Sequence, residues 1–327
     1  MTDSILHKRA VLTGIGMYLP GQPVTNAEMA KRVDTSDEWI IERTGIKQRY
    51  FAAPHETASY MGAQAGRMAL AQAGLPVADL GAIIVATSTP DQAFPSTAVH
   101  IQALLGAEKA FGFDLAAACS GFIYALSVAD AMLRAGQVSA VLVIGSEVYS
   151  RILNFEDRGT CVLFGDGAGA VLLQAKDVET SGPGVLSTHL HADGRLADIL
   201  YVDGAVGQRE KPDYLVMQGR EVFRHAVSLL AAAVKEALAE NNLQASDIDL
   251  LVPHQANRRI IDGVGRKLGL SAERVVVTVD KHANTSAASI PLALACAMAE
   301  GRAKPGQLIL LEALGGGLTW GSALLRL

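Results

Sequence analysis

The sequence predicts an α/β protein made of two similar halves, residues 1–178 and 179–327. Two observations predict it. Short apolar runs of strand length alternate with longer Ala-rich runs whose apolar residues recur at helical spacing. One pattern of helix, polar turn and strand is also written twice along the chain. Composition agrees: of 327 residues 50% are hydrophobic, 32 are glycine, and aromatics make up only 5%. Such a chain suits close helix–sheet contacts and is long enough for a large core.

The elements follow in order. "ASYMGAQAGRMALAQAGLPVADLGAIIVATSTP" (58–90) reads as an Ala-rich helix, a turn ending at Asp79 and an apolar strand. "FGFDLAAACSGFIYALSVADAMLRAGQ" (111–137) reads as a strand ending in Asp114, a small-residue turn, a helix and a stop at Gly136. "VSAVLVIGSE" (138–147) is a strand. "FGDGAGAVLL" (164–173) is glycine-rich but runs into a strand, not a helix, so no dinucleotide loop is expected there. Residues 180–215, with "SGPG", "HADGR" and "DGAVGQREKPD", read as a long excursion between the halves. The pattern then repeats: "HAVSLLAAAVKEALAENNLQASDIDLLVPHQAN" (225–257) echoes 58–90, and "VVVTVDKHANTSAASIPLALACAMAEGR" (275–302) echoes 111–137. "GQLILLEALGGG" (306–317) closes it with a strand. Alternation of this kind predicts mainly parallel sheets covered by helices.

Net charge is −5, with a pI near 5.9. No bulk positive field points to nucleic acid or an anionic membrane. Three cysteines at irregular spacing, Cys119, Cys161 and Cys296, make no disulfide framework and favour a reducing compartment. The N-terminus has no apolar signal core, and apolar runs break before membrane-spanning length. A soluble, cytoplasmic protein is expected.

Four places carry chemistry. Cys119 lies between a strand and a helix, where the helix N-terminus would lower its thiol pKa; an ordinary buried cysteine is the alternative. Cys161 and Cys296 sit inside strand and helix patterns and read as core. His254 follows an apolar strand and Pro253, at the strand end where α/β proteins place reacting groups. The other seven histidines read as satisfied residues, and the pair His189 and His191 lacks further metal ligands at suitable spacing. Asn284, in "VTVDKHANTSAASIP", could donate to an oxyanion or cap a helix. Three glycines in "LGGGLTWGSALL" (314–325) could bring a backbone N–H to a ligand, or simply turn a hairpin.

Taken together, "AAACSGF", "PHQANRRI", "HANTSAASIP", "DTSDEWIIERTGI" (34–46) and "GGGLTWGSALL" resemble the β-ketoacyl-acyl carrier protein synthase III family, in order along nearly the whole chain. The resemblance implies a thiolase-like fold: two duplicated α/β halves with central mixed sheets and a buried helix layer, assembled as a homodimer. It implies a catalytic Cys119, His254 and Asn284, with the backbone N–H groups of Cys119 and Gly316 as oxyanion hole. "DEWIIERTG" and "DRGT" resemble a coenzyme A clamp, with Trp39 and Arg158 around the adenine, Arg43 on phosphate and Thr35 beside them; Thr35 and Glu38 could instead form a capping box. Arg224, Arg259, Arg266 and Lys267 match positions that dock an acidic carrier protein. Phe94, Phe164 and Leu314 match the acyl pocket, Phe94 reaching into the partner subunit's. The implied reaction is a decarboxylative condensation of a short acyl-CoA with malonyl-carrier protein, with no cofactor beyond the thioester substrate and no metal. A same-fold enzyme with another acyl donor or acceptor is the rival reading. Two departures stand out. Ala283 replaces a glycine common before the asparagine, which suggests that no positive φ is needed there. Leu314 replaces a phenylalanine common before the triple glycine, which leaves more room beside His254.

Overall fold

The computed structural model describes residues 6–203 and 214–327. Its first part runs β1 (His7–Tyr18), β2 (Pro23–Thr25), α1 (Asn26–Met29), α2 (Asp37–Thr44), β3 (Gln48–Tyr50), α3 (Ala58–Ala73), β4 (Ala82–Ala86), α4 (Thr97–Leu105), β5 (Phe111–Leu115), α5 (Gly121–Arg134), β6 (Ala140–Glu147) and β7 (Gly167–Val178). The rest runs β8 (Gly184–Ala192), β9 (Leu200–Val202), β10 (Leu215–Met217), α6 (Gly219–Glu240), β11 (Leu250–Pro253), α7 (Arg258–Leu268), α8 (Val279–His282), α9 (Ser289–Ala299), β12 (Leu308–Gly315) and β13 (Thr319–Arg326).

Two sheets dominate, in the orders β1-β7-β6-β4-β5 and β11-β12-β13-β8. They are mixed, not mainly parallel as alternation predicts. β4 pairs in parallel with β5 and β6, and β11 with β12. β1–β7, β6–β7, β12–β13 and β13–β8 are antiparallel. The three-residue turn between β12 and β13 leaves no room for a crossover, so that pair must be antiparallel.

The strands of α/β type are apolar on both faces because helices cover both. α3 and α4 pack the outer face of the first sheet, and α6 packs the outer face of the second, with α7 against it. α5 and α9 lie between the sheets; eight of the eleven residues of α9 are buried, all round its circumference. The inner core joins residues of both sheets and both central helices, such as Ile84, Val143, Phe122, Ile290, Ile309 and Leu311. Small residues let the layers close: a Cβ on Gly14 or Gly16 of β1 would lie 2.1 Å from the carbonyl oxygens of Ala69 and Ala65 on α3. Helix limits follow local chemistry. Thr57 accepts from the Tyr60 N–H at the start of α3, and Gly74 ends it at φ +64.

Two expectations are corrected. Residues 184–192, read as part of an excursion, form β8, paired along its length with β13; residues 204–213 of that stretch lie outside the described residues. Residues 275–280, read as a strand, make one bridge, Val275 to Leu251, and then enter a helical turn. The reason is local: Gln255 Oε1 takes the N–H groups of Thr278 and Val279, at 2.7 and 3.0 Å, that a ladder would have used. No helix among the described residues is long and apolar enough to cross a membrane.

Candidate active site

Cys119 sits where β5 gives way to α5. After β5 the chain passes through Ala118 at φ +45 and a short 3-10 turn, Ala118–Ser120, before α5 begins at Gly121. The turn needs small residues: a Cβ on Gly121 would meet Ala86 Cβ at 3.1 Å. Ser120 Oγ lies 2.8 Å from both the Ala117 carbonyl oxygen and Thr319 Oγ1, donating to one and sharing the other hydroxyl's hydrogen bond, which ties the turn to β13. Gly315 lies against it so closely that a Cβ there would stand 2.6 Å from the Cys119 nitrogen.

The helix terminus does not win the contest over the thiol. Cys119 is buried, and burial pushes its pKa up to about 12, against smaller downward pulls led by the Ser286 hydroxyl. From 9.0 to about 12 is roughly 4 kcal/mol; a helix N-terminus is worth about 0.3–2 kcal/mol. The resting group is a thiol, which corrects the expectation of a lowered pKa. Cys161 is fully buried, in a turn and not a strand, and burial raises it as well.

His254 follows β11, and its N–H donates to the Glu312 carbonyl at 2.8 Å. Its Nδ1 is 2.6 Å from Ser289 Oγ, which also accepts from the Gln255 N–H at 3.2 Å. Nε2 is left for the cavity. Burial pushes the ring down to about 3, so the imidazole is neutral. The Ser289 hydroxyl can donate to Nδ1 or accept from it, so it can hold either tautomer.

Asn284 is pinned by its backbone, which exchanges 3.0 Å hydrogen bonds with Leu163 O and Gly165 N on either side of Phe164. Its Oδ1 accepts from the Ser286 N–H at 2.9 Å. Its Nδ2 has no acceptor among the described residues. The oxygen thus caps a turn, and the amide N–H groups are left without an acceptor among the described residues. Ala283 before it stands at φ +58, so the position does take a positive φ, contrary to the expectation drawn from its side chain. A non-glycine residue there stores on the order of 1–3 kcal/mol of strain.

One cavity of about 1140 Å³ brings Cys119, His254 and Asn284 together. Phe164, Leu314 and Gly316 line it too. Trp39, Arg43, Arg220 and Phe223 line its more exposed end. The Arg43 and Arg158 guanidinium carbons lie 4.6 and 5.1 Å from the Trp39 ring centroid. Arg158 also donates to Asp34 O at 2.9 Å and does not line the cavity, nor does Thr35. The α2 cap is Ser36, which accepts from the Trp39 N–H at 3.1 Å, so the Thr35–Glu38 box does not form.

Of the four basic residues, Arg259 lines the cavity and donates to Glu42 O at 3.1 Å. Arg224 on α6 pairs with Glu221 at 2.6 Å. Arg266 and Lys267 are exposed on the last turn of α7, outside the cavity. Phe94 is 84% exposed and outside it as well. His189 and His191 face one carboxylate, Glu236, at 3.6 and 2.6 Å.

Sequence reasoning passed over several residues here. Ser286 and Ser289 were visible as small polar residues after Asn284, but nothing marked their partners. Gln255 stood inside the His254 motif; its clamp on 278–279 needs the fold to be seen. Tyr149 and Glu312 carry no local signal. Glu312 is fully buried on the cavity wall, neither carboxylate oxygen has a partner among the described residues, and burial pushes it up to about 8.

Comparison with known proteins fits this geometry. Models of 3-oxoacyl-[acyl-carrier-protein] synthase III match residues 113–194, and of its C-terminal part residues 238–327. A β-ketoacyl-[acyl-carrier-protein] synthase III of Acidiphilium cryptum is 67% identical over 98% of this chain and 99% of its own. One of Granulibacter bethesdensis is 60% identical over 98% and 100%. The crystal structure of 3-oxoacyl-(acyl carrier protein) synthase III from Pseudomonas aeruginosa superposes with a TM-score of 0.92 at 41% identity, covering 97% of this chain and 98% of its own. The layered architecture is thus thiolase-like, with a cysteine, a histidine and an asparagine meeting between its sheets, and the chain belongs to the 3-oxoacyl-[acyl-carrier-protein] synthase III family.

Proposed function

We propose that the protein condenses a short acyl group from acyl-CoA, acetyl-CoA first among them, with malonyl-acyl carrier protein. The products are a β-ketoacyl-carrier protein, coenzyme A and carbon dioxide. The observation that carries this is the meeting of Cys119, neutral His254 and the free Asn284 amide on one cavity. In the first half-reaction the Cys119 sulfur attacks the thioester carbonyl. Its proton passes to His254 Nε2 and leaves with coenzyme A. The backbone N–H groups of Cys119 and Gly316 receive the oxyanion; the packing of Gly315 on the Cys119 nitrogen supports that role. In the second, the neutral imidazole takes its Nε2–H tautomer, with the Ser289 hydroxyl donating to Nδ1. Nε2–H of His254 and Nδ2 of Asn284 then donate to the malonyl thioester oxygen. Carbon dioxide departs, the enolate carbon attacks the acyl-cysteine carbonyl, and the C–S bond breaks to release the β-ketoacyl product and the Cys119 sulfur, which regains a proton from solvent. A neutral histidine suits this step, which needs a hydrogen-bond donor rather than a second base.

Other contacts complete the reading. Trp39 and Arg158 hold the adenine, Arg43 a phosphate, and Thr35 lies beside them. Phe164 and Leu314 shape the acyl pocket. Arg224, Arg259, Arg266 and Lys267 receive the acidic carrier protein. A second copy covers Phe94, which closes that copy's acyl pocket, giving a homodimer. The scheme uses no cofactor or metal beyond the thioester substrate and suits a cytoplasmic enzyme. The matching strand orders of the two sheets support two halves, 1–178 and 179–327. The test is intact mass after incubation with acetyl-CoA, butyryl-CoA or octanoyl-CoA. An acetyl adduct is expected that is absent in Cys119→Ser and discharged by malonyl-carrier protein. No adduct from any thioester would remove Cys119 as nucleophile.

A further inference from the structure

Glu312 stands on β12, is 1% exposed and lines the cavity that holds Cys119 and His254. Its place in the sheet fixes where it points. It pairs in register with Pro253 of β11 and Ser322 of β13, and cross-strand pairs share a face. The Ser322 hydroxyl donates to Ala233 O of α6 at 3.0 Å, so that face looks towards α6. The cavity wall on this side is apolar and buried: Pro253, Ala226 and Leu230 of α6, Ile261 of α7, and Leu314. Neither Glu312 carboxyl oxygen has a hydrogen-bond partner among the described residues. Burial pushes the carboxyl up to about 8, so at pH 7 it carries a proton and can donate it. A buried O–H left without an acceptor costs the desolvation of the group. The acceptor has to come from what enters the cavity. Glu312 O also accepts from the His254 N–H at 2.8 Å, so the residue sits beside His254.

We propose that Glu312 is a binding residue for the pantetheine arm of the substrate, its carboxyl O–H donating to an amide carbonyl of that arm. The proposal rests on the reading of the cavity as a thioester site. Coenzyme A and the carrier protein present the acyl group on the same arm, whose nearer amide lies two methylenes from the sulfur. With the thioester brought to Cys119, that amide is the next hydrogen-bonding group along the arm. The thioester oxygen already has its proposed donors, so the amide carbonyl is the acceptor left for the apolar wall on which Glu312 stands. Such a donor selects amide-bearing thioesters over plain alkyl ones, because without the amide the buried O–H stays unpaired.

The experiment is the rate of Cys119 acetylation at pH 7, read by intact mass, with acetyl-CoA and with S-butyl thioacetate, which has the thioester but no amide. Wild type, Glu312→Leu and Glu312→Gln are compared, with melting temperatures alongside. Glu312→Leu is expected to slow acetylation by acetyl-CoA about tenfold, and by S-butyl thioacetate less than twofold. Glu312→Gln, whose side-chain N–H can donate in the same place, is expected to bring acetyl-CoA back to within about threefold of wild type. Glu312→Met carries the test if the leucine variant does not fold. Equal slowing with both thioesters would overturn the proposal, as the sign of a distorted cavity. So would a glutamine variant as slow as the leucine one. A leucine variant within twofold of wild type on acetyl-CoA would also overturn it, and would leave the carboxyl facing cavity water only. Acetyl-CoA that leaves no adduct on wild-type Cys119 would instead overturn the thioester reading, and this proposal with it.

Discussion

Burial sets the charge of three groups on the cavity wall, and it acts on each in the direction that removes charge. Cys119 is pushed up to about 12, Glu312 up to about 8 and His254 down to about 3. The two that titrate between pH 3 and 8 affect stability with opposite signs. His254 takes up a proton near 6.5 when unfolded but only near 3 when folded, so its contribution is lost as pH falls from 6.5 towards 3. Glu312 keeps its proton to about 8 when folded but releases it near 4.5 when unfolded. Its contribution is full below pH 4.5 and is lost as pH rises towards 8. The slope from one such group reaches about 1.4 kcal/mol per pH unit. Glu312→Gln cannot ionise, so urea unfolding at pH 5 and pH 8 should show a smaller loss of stability on raising the pH than wild type shows. An identical loss in the variant would mean that Glu312 is not held protonated.

At the scale of elements, the proposed reacting groups are placed by close backbone approach more than by side-chain packing. Gly145 on β6 would carry a Cβ 2.3 Å from Ala287 O, and Gly315 on β12 one 2.6 Å from Cys119 N. These contacts press the 3-10 turns at 118–120 and 286–288 against the two sheets. Adding a methyl at Gly315 must move either β12 or the Cys119 turn. Overpacking of this kind costs about 1–3 kcal/mol, which a domain of this size can absorb. Misplacing a reacting atom by about 1 Å costs on the order of 100-fold in rate. Gly315→Ala should therefore remain folded, with a melting temperature a few degrees lower, and acylate Cys119 about 100-fold more slowly by stopped intact-mass sampling. Wild-type acylation would show that the Gly315 contact does not position the site.

Over the whole molecule, charge is distributed against its average. The chain is net −5, yet Arg43, Arg220 and Arg259 line the cavity and Arg266 and Lys267 are exposed on α7. A local positive field on an acidic protein raises the encounter rate of an acidic partner and is screened by salt. Reversing Arg266 and Lys267 to glutamate should raise KM for malonyl-carrier protein about tenfold at low salt, with KM for acetyl-CoA unchanged and the difference shrinking as salt is added. Equal effects on both substrates would argue against a docking role for α7.

The sequence by itself determined the layered α/β class, because Ala- and Gly-rich helices and doubly apolar strands leave few other ways to bury so much surface. It also marked Cys119, His254 and Asn284, since each stands at a strand end or helix start with small neighbours, and those residue types at those places are legible locally. Tertiary structure alone decided the rest. Residues 275–280 look like a strand until Gln255, more than twenty residues away in sequence, takes the N–H groups of Thr278 and Val279. Ala283 gives no sign of its positive φ, which is imposed by the backbone pairing of Asn284 beside Phe164. The thiol pKa reverses direction because burial depth, a property of the packed layers, outweighs the local helix terminus. Tyr149 and Glu312 become part of the cavity only when β6 and β12, more than 150 residues apart, are brought to its wall. Local chemistry can be read along a chain; burial and cross-chain hydrogen bonding depend on segments distant in sequence and exist only once the sheets have packed.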